Sequence, residues 1–180
     1  MKAINRYLST KIKASDIRAT DKTVRKIVKG ELDRLGHYAD LNHIDVIEVT
    51  NMSKLFDCYH DGLGQEYYDL NPDISEWDVS NVKSMESMFL GCNNFNCDIS
   101  GWDVSNVENM RCMFWYCKKF NCDISKWNVS KVKNMYSMFY GCKNFNQDLS
   151  QWDVKRVKNM ENMFYNCCPI KEEFKPKFNI

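Results

Sequence analysis

The feature that most constrains this chain is a period. From Phe95 the sequence reads FNCDISGWDVSNVENMRCMFWYC, and the unit returns as FNCDISKWNVSKVKNMYSMFYGC from Phe120 and as FNQDLSQWDVKRVKNMENMFYNC from Phe145. An earlier copy, LNPDISEWDVSNVKSMESMFLGC, begins at Leu70. Trp77, Trp102, Trp127 and Trp152 keep step at twenty-five residues, as do Cys92, Cys117, Cys142 and Cys167. One such unit cannot bury its apolar side alone, so copies must stack to share a core. The period therefore predicts an α/β solenoid, whose coils each pair a short strand with a short helix.

The two halves of a coil are read from their patterns. In DISGWDV, Ile99, Trp102 and Val104 alternate loosely inward, which suggests an extended segment or short strand. Val107, Met110, Met113 and Phe114 then recur at i, i+3, i+6 and i+7, the face of a short helix. Ser105 and Glu108 have the spacing of a capping box at its start, while the last copy carries Lys155 in the cap position.

Residues 1–40 form a basic lead-in and a capping helix, with ten Lys/Arg against five Asp/Glu. Val24, Ile27, Val28, Leu32 and Leu35 form an apolar stripe, which places a helix at about Asp21–Leu35 with Thr20 or Asp21 as N-cap and Gly36 as its stop. Such a helix would cover the open end of the first coil. Residues 41–168 carry the repeats. The first is disguised: Val49, Met52, Leu55 and Phe56 match Val82, Met85, Met88 and Phe89 at an offset of 33. Its eight extra residues fall within residues 58–69, either a grafted functional loop or drift in an end repeat. Residues 169–180 read as a C-terminal tail or cap.

Stacking turns equivalent positions into columns about 4.8 Å apart where coils pair as parallel strands. The Phe, Trp, Val and Met columns are core. The cysteine column is a line rather than the tetrahedron zinc needs, so buried thiols acting as small apolar fillers are expected, with no metal and no cofactor. Asn71, Asn96, Asn121 and Asn146 should bond one another and the turn backbone. Asp73, Asp98, Asp123 and Asp148 should cap backbone amides. His43 beside Asp45 has the look of a base with its orienter, yet no motif places a nucleophile, so no catalytic residue is assigned and the chain reads as a non-enzyme. The start, MKAINRYLSTKIKAS, lacks the apolar core of an export signal and no membrane-length run follows, which points to the cytoplasm and reduced thiols.

Variation between copies falls on the turn and the helix-facing positions. Trp115, Tyr116, Tyr136, Tyr140 and Tyr165 are expected along one edge, flanked by Lys118, Lys119 and Lys143. Aromatic rings beside basic residues suit a protein-binding hot spot. They would also suit stacked bases, or simply close the groove between coils.

The unit FNxDISxWDVSNVxxMxxMFxxC closely resembles the BspA-like leucine-rich-repeat family of bacterial surface proteins, with the DUF285 type of repeat. The resemblance runs from about Leu41 to Cys167, and ADLNHIDVIEVTNMSKLF resembles that family's opening repeat. It implies leucine-rich-repeat-like coils and a binding role rather than catalysis. The combined expectation is a non-catalytic protein–protein interaction module. Two alternatives stand beside it: an intracellular inhibitor, of phage or host origin, that occludes a host enzyme or defence complex, and a nucleic-acid binder acting through the basic N-terminus. A surface adhesin secreted without a visible signal is a further reading.

Overall fold

The computed structural model describes residues 17–60 and 62–178. The first sixteen residues of the basic lead-in lie outside that range. Among the described residues, regular structure is sparse. Strand β1 (Ile17–Arg18) pairs in parallel with β2 (Ile44–Asp45), with Ile17 opposite Ile44. Between them lies α1 (Val24–Leu35), and single 3-10 turns occur at Gln65–Tyr67 and Glu172–Phe174.

The expected α/β solenoid of strand-plus-helix, leucine-rich-repeat-like coils is therefore overturned: among the described residues, the four copies from Leu70 to Cys167 contain no helix and no strand longer than an isolated bridge. The hydrogen bonds give the reason. In the segment read as a helix, the N–H groups of Met110, Cys112, Phe114 and Tyr116 donate to the carbonyls of Asn134, Tyr136, Met138 and Tyr140 in the next copy, at 2.7–3.0 Å. The intervening residues close turns instead, Met113 to Met110, Trp115 to Cys112 and Cys117 to Phe114. Every second amide thus leaves the segment, and an α-helix, which needs each amide bonded four residues back, cannot form. Cys112 and Tyr116 also sit at φ +53° and +57°, in the left-handed region that ends a turn and breaks a helix. The capping box fails for the same reason. Ser105 donates its amide to Asp103 Oδ1, and Glu108 takes Lys133 Nζ at 2.5 Å.

What the period does build is a ladder of turns. Parallel bridges link Asn51, Ser84, Asn109, Asn134 and Asn159 in succession, one per copy. Inside, Phe89, Phe114, Phe139 and Phe164 lie nearly parallel at 5.6–5.7 Å, and the ring that opens the following copy (Phe95, Phe120 and Phe145) closes on each of the first three at 3.9–4.2 Å. Offset ring pairs at these separations add to the burial energy. In the twenty-five-residue tryptophan column the indole N–H donates one copy back, Trp102 to Ile74, Trp127 to Ile99 and Trp152 to Ile124, all at 3.2 Å. The Cys117 and Cys142 thiols donate to the carbonyls of Phe89 and Phe114 at 2.9 Å. Burial pushes both thiols well above their ordinary pKa, so they are neutral fillers that also satisfy a carbonyl. All nine cysteines are free.

The polar columns hold the turns. Oδ1 of Asn71, Asn96 and Asn121 each accepts the backbone N–H of the next asparagine at 2.8–3.0 Å. Asp73, Asp98, Asp123 and Asp148 each accept the amide of the serine two residues on. Those serine hydrogen bonds hold all four carboxyl groups below the ordinary aspartate range.

The N-terminal end is closed by α1, which buries Val24, Val28 and Leu32. The helix begins later than its apolar stripe suggests. Thr23 is the N-cap, and Asp21 is spent elsewhere, accepting the amides of Thr50 and Asn51 and the Thr50 hydroxyl at 2.7–3.0 Å. Gly36 ends the helix at φ +90°, its N–H on the Leu32 carbonyl. The eight-residue insertion is a structural tie rather than a free loop. Its Tyr67 is buried, receives Lys29 Nζ at 2.7 Å and donates to Asp33, so the loop grips the helix.

Candidate interaction trough

Three columns of side chains converge on one face of the stack and form a groove of about 540 Å³. Its floor is the left-handed turn position of successive copies, Ser87, Cys112 and Ser137, at φ +51° to +55°. These residues are small and buried, which keeps the floor low. One wall is Leu90, Trp115 and Tyr140. The opposite wall is Glu86, Arg111 and Tyr136, linked in series. Arg111 Nη1 lies 3.1 Å from Glu86 Oε1, and the guanidinium stands 5.2 Å over the Tyr136 ring. Lys54 and His60 lie at the N-terminal end and Asn162 at the other.

The aromatic wall is continuous. Tyr59, from the insertion, sets its ring edge against Trp115 at 5.9 Å; Trp115 stacks on Tyr140 at 5.6 Å, and Tyr140 on Tyr165 at 5.2 Å. Tyr165 is the outermost rung, 60% exposed. Partial burial, with Tyr116 and Tyr165 alongside, keeps the Tyr140 phenol above its ordinary pKa, so at neutral pH it can donate a hydrogen bond. Burial likewise raises Cys112, making the floor a thiol rather than a reactive thiolate.

The residues expected from the sequence divide in two. Trp115, Tyr136 and Tyr140 line the trough, and Tyr165 extends its wall. Tyr116 packs behind that wall, against Trp115 at 4.3 Å and over Gly141. Lys118, Lys119 and Lys143 are exposed and do not line the groove; Lys143 Nζ is engaged by Asn166 Oδ1 at 2.5 Å. The basic flank drawn from the sequence is thus not part of this face. Its charge is the paired Glu86 and Arg111 instead, with Lys54 and His60 at one end. The floor residues were missed because a left-handed turn was read as mid-helix. The Gly91, Gly141 and Asn166 column, residue types that accept positive φ, was the available signal.

The expected acid–base pairing of His43 with Asp45 does not form. His43 Nε2 meets Glu31 at 3.0 Å, while Asp45 is taken by Arg18. His37 pairs with Asp69 and His60 with Asp57, so each histidine serves a local contact at the N-terminal end. Among the described residues, no three His, Cys, Asp or Glu side chains gather as metal ligands, and no helix is long and apolar enough to cross a membrane.

Fold and face together define a repeat protein that carries a grooved, aromatic side varying from copy to copy. The chain belongs to the family described as Mycoplasma protein of unknown function, DUF285, whose model matches residues 32–124 and 61–178. No curated protein and no solved structure matches it.

Proposed function

We propose that this protein is a non-catalytic interaction module that binds a partner protein in the trough between the Trp115/Tyr140/Tyr165 wall and the Glu86/Arg111/Tyr136 wall. The observation that carries the reading is the aromatic wall itself. Four rings, Tyr59 from the insertion and one from each of the last three copies, run in line on a scaffold fixed by backbone ladders, Tyr59 edge-on to Trp115 and the others stacked. Rings held this way lose little freedom on binding, and Trp, Tyr and Arg are the residues that dominate interface energetics. The walls offer phenol and indole hydrogen bonds with a self-compensated ion pair, a surface suited to a protein chain more than to a polyanion.

Trp115→Ala combined with Tyr140→Ala tests this. A tagged chain captures its partner from nuclease-treated lysate of the native cell, and the double variant should lose that partner while keeping its thermal midpoint within a few degrees. Unchanged capture by a folded double variant would refute the assignment. Loss of the partner on nuclease treatment alone would move the reading to nucleic acid.

A further inference from the structure

The trough is sealed along its backbone and open only through its side chains. The floor carbonyls of Ser87, Cys112 and Ser137 accept the amides of Leu90, Trp115 and Tyr140, and the carbonyls of those wall residues accept amides from the copy above. On the opposite wall, the carbonyls of Glu86, Arg111 and Tyr136 are taken in the same way by Lys54, Ser87 and Cys112. Glu86, the only carboxylate among the described lining residues, is engaged at both oxygens, Oε1 by Arg111 Nη1 at 3.1 Å and Oε2 by Asn109 Nδ2 at 3.0 Å. Donors are left over. Ser87 and Ser137 are only 4% and 3% exposed, and among the described residues neither hydroxyl has a hydrogen-bond partner; both residues line the groove. The indole N–H of Trp115, a donor only, likewise meets no acceptor among the described residues. A hydroxyl held in a buried floor without a partner costs free energy, and two at equivalent places are accounted for by acceptors that come from outside.

Hydrogen-bond polarity and spacing select the occupant. An ordinary extended segment brings an N–H with every residue, into a groove whose backbone carbonyls and carboxylate are already engaged. A proline-rich segment brings carbonyls and few N–H groups, and its polyproline II helix bonds none of those carbonyls internally. Its repeat also fits. One turn of that helix is about 9.3 Å, three residues of about 3.1 Å each. Ser87 and Ser137 lie two copies apart, about 9.6 Å at the usual backbone spacing of about 4.8 Å. Carbonyls one turn apart thus meet both hydroxyls while pyrrolidine rings lie against Trp115 and Tyr140. A nucleobase finds no such seat: the wall rings stack at 5.2–5.6 Å, and a base inserted between two of them needs about 6.8 Å, twice the stacking rise. Docking of proline-rich segments in aromatic-lined grooves is a general mode of recognition. We propose that the trough takes a proline-rich segment of the partner protein in the polyproline II conformation, with carbonyls one helical turn apart on the Ser87 and Ser137 hydroxyls and a further carbonyl on the Trp115 indole N–H. This rests on the reading of the trough as the interaction site and names what occupies it.

The probe is deca-proline, titrated into the nitrogen-15-labelled full chain. It should bind saturably, shift the Trp115 indole resonance and displace the partner captured from lysate. An equally long glycine–serine peptide, with an N–H on every residue, should bind on the order of tenfold more weakly. Ser87→Ala combined with Ser137→Ala should weaken deca-proline on the order of tenfold and leave the thermal midpoint within a few degrees, because neither hydroxyl has an internal bond to lose. Should that variant misfold, the comparison of the two peptides on the unaltered chain still decides. No saturable binding of deca-proline, equal binding of the two peptides, or unchanged affinity in a folded serine variant would each overturn the proposal. Failure of the trough itself reads differently: a partner that is lost with Trp115→Ala and Tyr140→Ala but not displaced by deca-proline keeps the trough and removes proline as its occupant.

Discussion

The stack from Leu70 to Cys167 and the third of the molecule before it meet the same demand by opposite means. In the stack, a carbonyl such as that of Asn134 is met by the amide of Met110 in the copy above, and the solution is repeated from copy to copy. Before it, the Ser53 carbonyl is met by a guanidinium, the amides of Thr50 and Asn51 by the Asp21 carboxylate, and the insertion is held by one tyrosine between Lys29 and Asp33. Repetition spreads stability over many equal contacts with neighbours. The end cap instead concentrates it in single side chains with no duplicates. A repeat protein thus carries its individuality where the period stops.

The strongest way to probe that contrast is to strike the shared core. Phe114→Ala removes a fully buried ring that touches Phe89, Phe95, Phe120 and Phe139, and should cost about 3–5 kcal/mol in chemical denaturation. Exchange protection should fall on both sides of the lesion.

The junction between the two regions comes next. Gly91 sits at φ +79°, and a Cβ there would lie 2.1 Å from the Tyr59 ring. Gly91→Ala should cost about 1–2 kcal/mol for the backbone alone and more for the displaced ring. Removing that ring with Tyr59→Ala should return part of the loss, a coupling of about 0.5 kcal/mol or more in a double-mutant cycle. At Gly141 the corresponding contact with Tyr116 is 3.2 Å, so Gly141→Ala should show weaker coupling to its ring.

A matched pair of polar deletions gives smaller effects. Asn121→Ala removes the acceptor for the Asn146 amide and should cost about 1 kcal/mol. Asp21→Ala strips three bonds from the Thr50–Asn51 turn and should cost about 0.5–2 kcal/mol, with faster exchange confined to the N-terminal third. Equal spreading of both losses through the chain would erase the distinction drawn above.

The mildest effect is on acid stability. Asp73, Asp98, Asp123 and Asp148 have folded pKa values below the unfolded one, about 3.9. Their contribution is present above that value and disappears as pH falls through the folded values. The thermal midpoint should therefore hold from neutral pH to about pH 5 and drop at lower pH, and replacing all four by Asn should flatten the drop.

Much of this was legible from the residues because stacking needs only a period. The columns, the asparagine and aspartate turns and the Gly36 stop follow from residue type and spacing. The local backbone was misread for a specific reason. Residues 107, 110, 113 and 114 face inward whether they lie on a helix or on consecutive tight turns, so apolar spacing alone does not separate the two. The deciding choice, whether an amide bonds four residues back or reaches the next copy, depends on a neighbour twenty-four residues away. The trough was half legible for the same cause. Its aromatic wall shows in the variation between copies, but its floor exists only once the left-handed turns are known.

The glycines at 91 and 141 have a consequence for how such a chain can lengthen. The ring of Tyr59 lies over Gly91 and that of Tyr116 over Gly141, so a bulky turn residue requires a bare one beneath it. Duplicating the copy around Tyr116 alone would set tyrosine above tyrosine at a position where a bare Cβ already comes within 3.2 Å of the ring above. Genetic exchange within this array should therefore be tolerated in steps of fifty residues rather than twenty-five, making the heritable unit a pair of copies.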